Sequence, residues 1–129
     1  MTTLDARTLV QAVVEAAGEK KAGDIVVLDI GAVSVICDYF VIASGRSTTH
    51  VKAIGEHVEK RMAALGVPWP RREGFPEGRW VLLDYGDVVV HLFVESEREF
   101  YNLERLWQDA RVVALQGIDG NGANSAIRG

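Results

Sequence analysis

A chain of 129 residues, 48% hydrophobic and 25% charged, belongs with globular proteins and away from disordered or fibrous compositions. Its length suits one domain that buries about two thirds of its unfolded surface. The net charge of −4 is unevenly spread, since residues 84–109 hold seven acids against two bases, and the single cysteine excludes an internal disulfide.

The apolar stretch at residues 25–43 is broken by Asp29, Gly31 and Asp38, which makes it too short and too polar for a bilayer span. The N-terminal sequence lacks the basic start, apolar core and cleavage site of a secretory signal, and Asp5 and Glu15 argue against an organellar transit peptide. Cys37 sits in the apolar run VSVICDYFVIA as a buried small hydrophobe would. Together these features predict a soluble protein of a reducing cytoplasm, with no membrane association.

In chain order, Leu9, Ala12, Val13 and Ala16 recur at helical spacing behind Thr2 or Thr3 as cap. Gly18 stands ready to end the turn, which predicts a helix over residues 4–17. β-Branched runs at 24–29 and 39–44, joined by a short link, predict two buried strands. Gly45-Arg46-Ser47 then opens a second helix. Its stripe of Val51, Ile54, Val58, Met62 and Leu65 is apolar, Lys52, Glu56, Glu59 and Lys60 are placed toward water, and Gly66 and Pro68 stop it.

Residues 69–75 predict a short edge strand limited by Pro70, Gly74, Pro76 and Gly78. Residues 80–84 and 88–94 predict a hairpin closed by Tyr85-Gly86-Asp87. Ser96 and Glu99 form a capping box, after which Phe100, Leu103 and Trp107 share one face of a third helix and Tyr101, Glu104 and Gln108 another. The Gly- and Asn-rich end predicts a single domain over residues 1–110 followed by a mobile tail at 111–129. This order predicts an α/β fold, a mixed β-sheet with helices packed on it.

Gly45-Arg46-Ser47 ahead of a helix can offer backbone amides to a phosphate. It lacks both the glycine pattern of a dinucleotide loop and the Gly-Lys-Ser/Thr ending of a nucleoside-triphosphate loop, so a Ser47-capped turn is the simpler reading. Nucleotidyl transfer also needs two strand carboxylates at i and i+2 to hold two metals. Asp84 and Asp87 are three apart across a turn, and Asp29 and Asp38 each stand without such a partner. His50 and His57 are seven apart on one helix, too far for one ion, so neither a metal nor a cofactor is expected. Cys37 has no base spaced to it, and no catalytic residue is expected. His91 interrupts VVVHLFV, where alternation alone leaves open whether it is a satisfied structural histidine or a partner contact.

What remains is residues 80–107, where Trp80, Tyr85, Tyr101 and Trp107 stand among carboxylates. Carboxylates repel phosphates, while Trp and Tyr are the side chains that anchor protein interfaces. The segment therefore suits a basic protein surface, and no direct sequence-specific nucleic-acid binding is expected. Phe100 and Trp107, on the apolar helix face, read as core; Trp80 and Tyr101 read as contacts.

Several strings carry a resemblance: CDYFVIASG at 37–45, RSTTHVKAIGEHV directly after it, EG at 77–78, WVLLDYGDVVVHLF at 80–93 and RxFYxLERLW at 98–107. Over about residues 5–109 the chain resembles the ribosomal silencing factors, also called the Iojap-like family. The resemblance implies a translational repressor without catalytic activity. Such a protein binds a large-subunit ribosomal protein on the subunit-joining face, obstructs the small subunit and lowers protein synthesis when nutrients are scarce. The resemblance also implies a homodimer and a fold similar to the nucleotidyltransferase fold without its catalytic carboxylates. The implied partner-binding surface is Trp80, Asp84, Tyr85, Gly86, Asp87, His91, Tyr101, Glu104 and Trp107. The implied partner is the large ribosomal subunit, met through a basic ribosomal protein whose lysines and arginines would pair with the acidic segment. Two other readings stay open: a nucleotidyltransferase-like, nucleotide-binding protein, and an interaction module with a non-ribosomal partner.

Overall fold

The computed structural model of the protein describes residues 4–31, 35, 37–96 and 111–113. Its elements are α1 (Ala6–Glu19), β1 (Gly23–Asp29), β2 (Tyr39–Gly45), α2 (Thr48–Ala64), β3 (Arg71–Glu73), β4 (Trp80–Asp84), β5 (Val88–Val94) and β6 (Arg111–Val112). The strands form one sheet in the order β3-β4-β5-β2-β1-β6. β2 and β5 pair in parallel at its centre, and every other neighbouring pair is antiparallel. A parallel pair needs a long crossover, which α2 together with β3 and β4 supplies. The mixed α/β sheet read from the sequence is therefore present. No helix among the described residues is long and apolar enough to cross a membrane.

Local chemistry sets the helix ends. Asp5, rather than the threonines before it, caps α1, because its carboxylate accepts the Thr8 N–H at 2.8 Å. The helix runs through Gly18 to Glu19, and Lys21 takes the left-handed conformation (φ 63°) expected of the glycine. Ser47 caps α2 by accepting the His50 N–H at 3.1 Å. Val51, Ile54, Val58 and Met62 are fully buried along α2, while Leu65 falls at the cap and is 42% exposed. Glu59 corrects the polar stripe drawn from the sequence. It is buried, and Arg72 of β3 reaches it with two hydrogen bonds of 3.1 Å.

Strand alternation sorts the side chains onto two faces. Ile25, Val27, Val41, Ala43, Val81, Leu83, Val88, Val90 and Leu92 share one core with the buried faces of α1 and α2. Val26, Leu28, Phe40, Ile42, Val89 and Phe93 form the opposite face with Ile30 and Cys37, and no described helical side chain belongs to that cluster. The edge strand predicted at 69–75 is three residues long. It ends at Glu73 and is followed by Gly74, where φ is +84° and a Cβ would stand 2.0 Å from the Trp80 carbonyl oxygen.

Residues 111–113, which the sequence reading assigns to the tail, lie against β1. Arg111 and Val112 pair with Asp29 and Leu28, and the Val113 N–H donates to the Val27 carbonyl at 2.9 Å. A strand edge presents unpaired backbone groups, and this short run covers the Val27–Asp29 end of β1. The predicted third helix and the rest of the predicted tail lie outside the described residues.

Candidate protein-docking site

The β4–β5 hairpin holds six of the nine residues singled out from the sequence. Register puts Trp80 opposite Phe93, Leu82 opposite His91 and Asp84 opposite Val89. Every second residue of a strand shares a face, so Trp80, Leu82, Asp84 and His91 lie together on the face away from α1 and α2. Trp80 is half-buried and stacks on Phe93 with ring centroids 5.0 Å apart at 28°. Its indole N–H donates diagonally across the strands to Nδ1 of His91 at 3.2 Å.

His91 is 5% exposed, with the Phe40 ring 4.6 Å away. Burial lowers its pKa to about 4, against a smaller upward pull from the Asp84 carboxylate. The ring is therefore neutral near pH 7. Because Nδ1 accepts, the proton sits on Nε2, and this buried N–H has no hydrogen-bond partner. The face left open by sequence alternation is thus decided: His91 lies beneath the surface, under Trp80.

Tyr85 goes the other way. One residue out of phase with Asp84, it packs against the helix-side core, and its hydroxyl is buried without a partner. Burial pushes its ionisation well up, and the nearby Glu59 charge adds to the shift. Tyr85 therefore does not share the face of Trp80. The turn beyond it is exposed at Gly86 and Asp87. Gly86 adopts φ +92°, and its N–H donates to the Asp84 carboxylate at 2.8 Å.

Two carboxylates that the sequence leaves isolated join this turn. β1 ends at Asp29 opposite Tyr39, and Tyr39 in turn stands opposite Val88. The Asp87 carbonyl accepts the N–H groups of Asp38 and Tyr39 at 2.8 and 3.0 Å. Asp29, Asp38, Asp84 and Asp87 consequently share one end of the sheet. Oxygens of Asp38 and Asp29 lie 3.2 and 3.7 Å from where a Cβ on Gly31 would stand. The buried Cys37 thiol registers this field: burial first, then the charges of Asp38, Asp84 and Asp87, raise its pKa to about 11. Nothing in the linear sequence pairs Asp29 or Asp38 with the hairpin turn, because the pairing is made by strand order.

Several backbone donors at the α2 entry are already engaged. The Arg46 N–H donates to His50 Nδ1 at 2.9 Å, the His50 N–H to Ser47 Oγ, and the Val51 N–H to the Ser47 carbonyl. His50 Nε2 lies 2.7 Å from the Lys20 carbonyl and His57 Nε2 2.7 Å from Glu19. Both histidines thus join α2 to α1 or to the residue that follows it. Among the described residues no group of three His, Cys, Asp or Glu side chains is placed to hold a metal ion. Tyr101, Glu104 and Trp107 lie outside the described residues.

A family model described as "Ribosomal silencing factor during starvation" matches residues 3–128. The chain is 44% identical over 110 residues to "Ribosomal silencing factor RsfS" of Halalkalibacterium halodurans, covering 85% of this chain and 94% of that protein. It is 40% identical over 112 residues to the protein of the same name from Bacillus subtilis, covering 87% and 95%. The mouse "Mitochondrial assembly of ribosomal large subunit protein 1" is 36% identical over 92 residues, 69% of this chain and 40% of that protein. A crystal structure from Chromobacterium violaceum superposes with a TM-score of 0.79 at 32% identity, covering 81% of this chain and 88% of that one. One from Bacillus halodurans superposes with a TM-score of 0.75 at 41% identity, covering 84% and 99%.

Proposed function

Because this chain belongs to the ribosomal silencing factor family, we propose that it represses translation by binding the large ribosomal subunit and excluding the small one. It docks on a basic ribosomal protein at the subunit-joining face and works by occupancy, without catalysis. The observation that carries this reading is the acidic end of the sheet, where strand order gathers Asp29, Asp38, Asp84 and Asp87. Such a cluster steers a basic protein toward it and repels RNA phosphates. Trp80, farther along the face that carries Asp84, supplies an aromatic anchor of the kind that dominates interface energetics. The name of the mouse relative, which speaks of assembly of the large subunit, supports the choice of subunit.

The test is a subunit-joining assay with purified ribosomal subunits resolved on sucrose gradients. Preincubating large subunits with excess protein is expected to suppress formation of the joined particle. Trp80→Ala is expected to weaken co-sedimentation with large subunits by about 2 kcal/mol, roughly thirtyfold. Joined particles forming at normal yield under saturating protein would overturn the reading.

A further inference from the structure

We infer that His91 is a positioning residue for the docking surface: its Nδ1 holds the indole of Trp80 in the orientation that a partner meets. The inference rests on the docking role proposed above for Trp80. His91 itself is buried and reaches no partner surface directly.

The geometry restrains the indole from two directions. Phe93 stacks against it at 5.0 Å, which sets the ring plane but leaves the ring free to slide or flip within that plane. The N–H to Nδ1 bond of 3.2 Å removes that freedom, because only one indole edge carries a donor. His91 is in turn fixed by the Phe40 ring at 4.6 Å. An anchor already held in its bound rotamer loses less conformational freedom on docking.

Packing alone does not account for this histidine. Its neighbours on the face are Phe40, Ile42, Leu82, Val89 and Phe93, so a phenylalanine or leucine would bury more apolar surface there. The imidazole instead carries an Nε2–H with no partner, a burial that costs free energy. The atom that gives a return is Nδ1, and what it holds is Trp80.

Three variants test this: His91→Phe, His91→Gln and Trp80→Phe, each measured for folding, for large-subunit affinity and by NMR of the indole N–H. The Trp80 signal is assigned by its loss in Trp80→Phe. In His91→Phe the denaturation midpoint is expected to stay level or rise, since the unpaired N–H is gone. The Trp80 indole N–H should shift upfield and exchange faster with solvent, and large-subunit affinity should fall about tenfold, equivalent to about 1.4 kcal/mol. His91→Gln, which restores a side-chain acceptor, should recover part of the loss. On the Trp80→Phe background, which has no N–H to hold, His91→Phe should cost no further affinity.

The inference is overturned if His91→Phe binds subunits as tightly as the wild type, or if the Trp80 indole signal does not move. It is also overturned if His91→Phe and His91→Gln both fail to fold, which would make the residue structural. Failure of the wild type itself to bind large subunits would instead remove the docking role, and this inference with it.

Discussion

The two faces of the sheet are built from the same strands and to different rules. The helix-covered face is an aliphatic layer: Val27, Val41, Val81, Leu83, Val90 and Leu92 are fully buried under the stripes of α1 and α2. The opposite face mixes Phe40, Phe93 and half-buried Trp80 with a desolvated imidazole, and it ends in carboxylates. Burial explains these six side chains, although the Tyr85 hydroxyl is also buried on that side without a partner. The second carries an unpaired N–H that burial alone would not select, and local departures from best packing concentrate where a protein does its work.

Four substitutions or conditions press on that contrast. The largest effect belongs to the aliphatic face, where Leu92→Ala should cost about 3 kcal/mol of stability in denaturant unfolding through the cavity it leaves. Large-subunit affinity of the folded fraction should be unchanged, and a parallel loss of binding would break the division between the faces. Next comes Arg72→Ala, which strands the buried Glu59 without its partner. Because Arg72 is itself 47% exposed, the cost is discounted to about 2 kcal/mol. Replacing both residues, as Glu59→Leu with Arg72→Met, should recover most of it; a single variant as stable as wild type would mean that the pair does not tie β3 to α2.

The third effect is a pH dependence. His91 titrates near its ordinary value of 6.5 when unfolded and at about 4 when folded, so the unfolded chain takes up the proton first as pH falls. Its contribution is intact above pH 6.5 and is lost between 6.5 and 4, about 1 kcal/mol of it between pH 7 and pH 5.5. Asp84 faces the ring from β4 in both proteins, so unfolding curves of His91→Phe should isolate the imidazole by lacking this slope. The smallest effect is at the exposed turn. Asp87→Lys should leave stability within about 0.5 kcal/mol and slow association with large subunits a fewfold at low salt, a difference that disappears as salt screens the charge. An effect independent of ionic strength would detach the acidic end from steering.

Much of this arrangement is legible in the residues. The stripe Val51, Ile54, Val58 and Met62 has the helical period and is buried as that period requires. The hairpin follows from two β-rich runs around a glycine that needs positive φ. Trp80 as an aromatic next to carboxylates is visible as well, and so is the lack of an i, i+2 pair of carboxylates within a predicted strand. The face of Tyr85 is not legible in the same way, because it depends on a strand phase that one residue reverses. Glu59 has the spacing of a solvated helix position, and only the approach of β3 turns it into a buried ion-pair partner.

Local chemistry by itself determined the periods, the turn and the caps, because these depend on contacts between residues a few positions apart. The acidic end and the Trp80–His91 pair were decided by tertiary structure. Asp29, Asp38, Asp84 and Asp87 converge because strand order places β1, β2, β5 and β4 side by side, joining positions more than fifty residues apart. The histidine's partner and protonation follow from antiparallel register and from the water that the packed face excludes. Neither register nor desolvation is a property of any short stretch of chain.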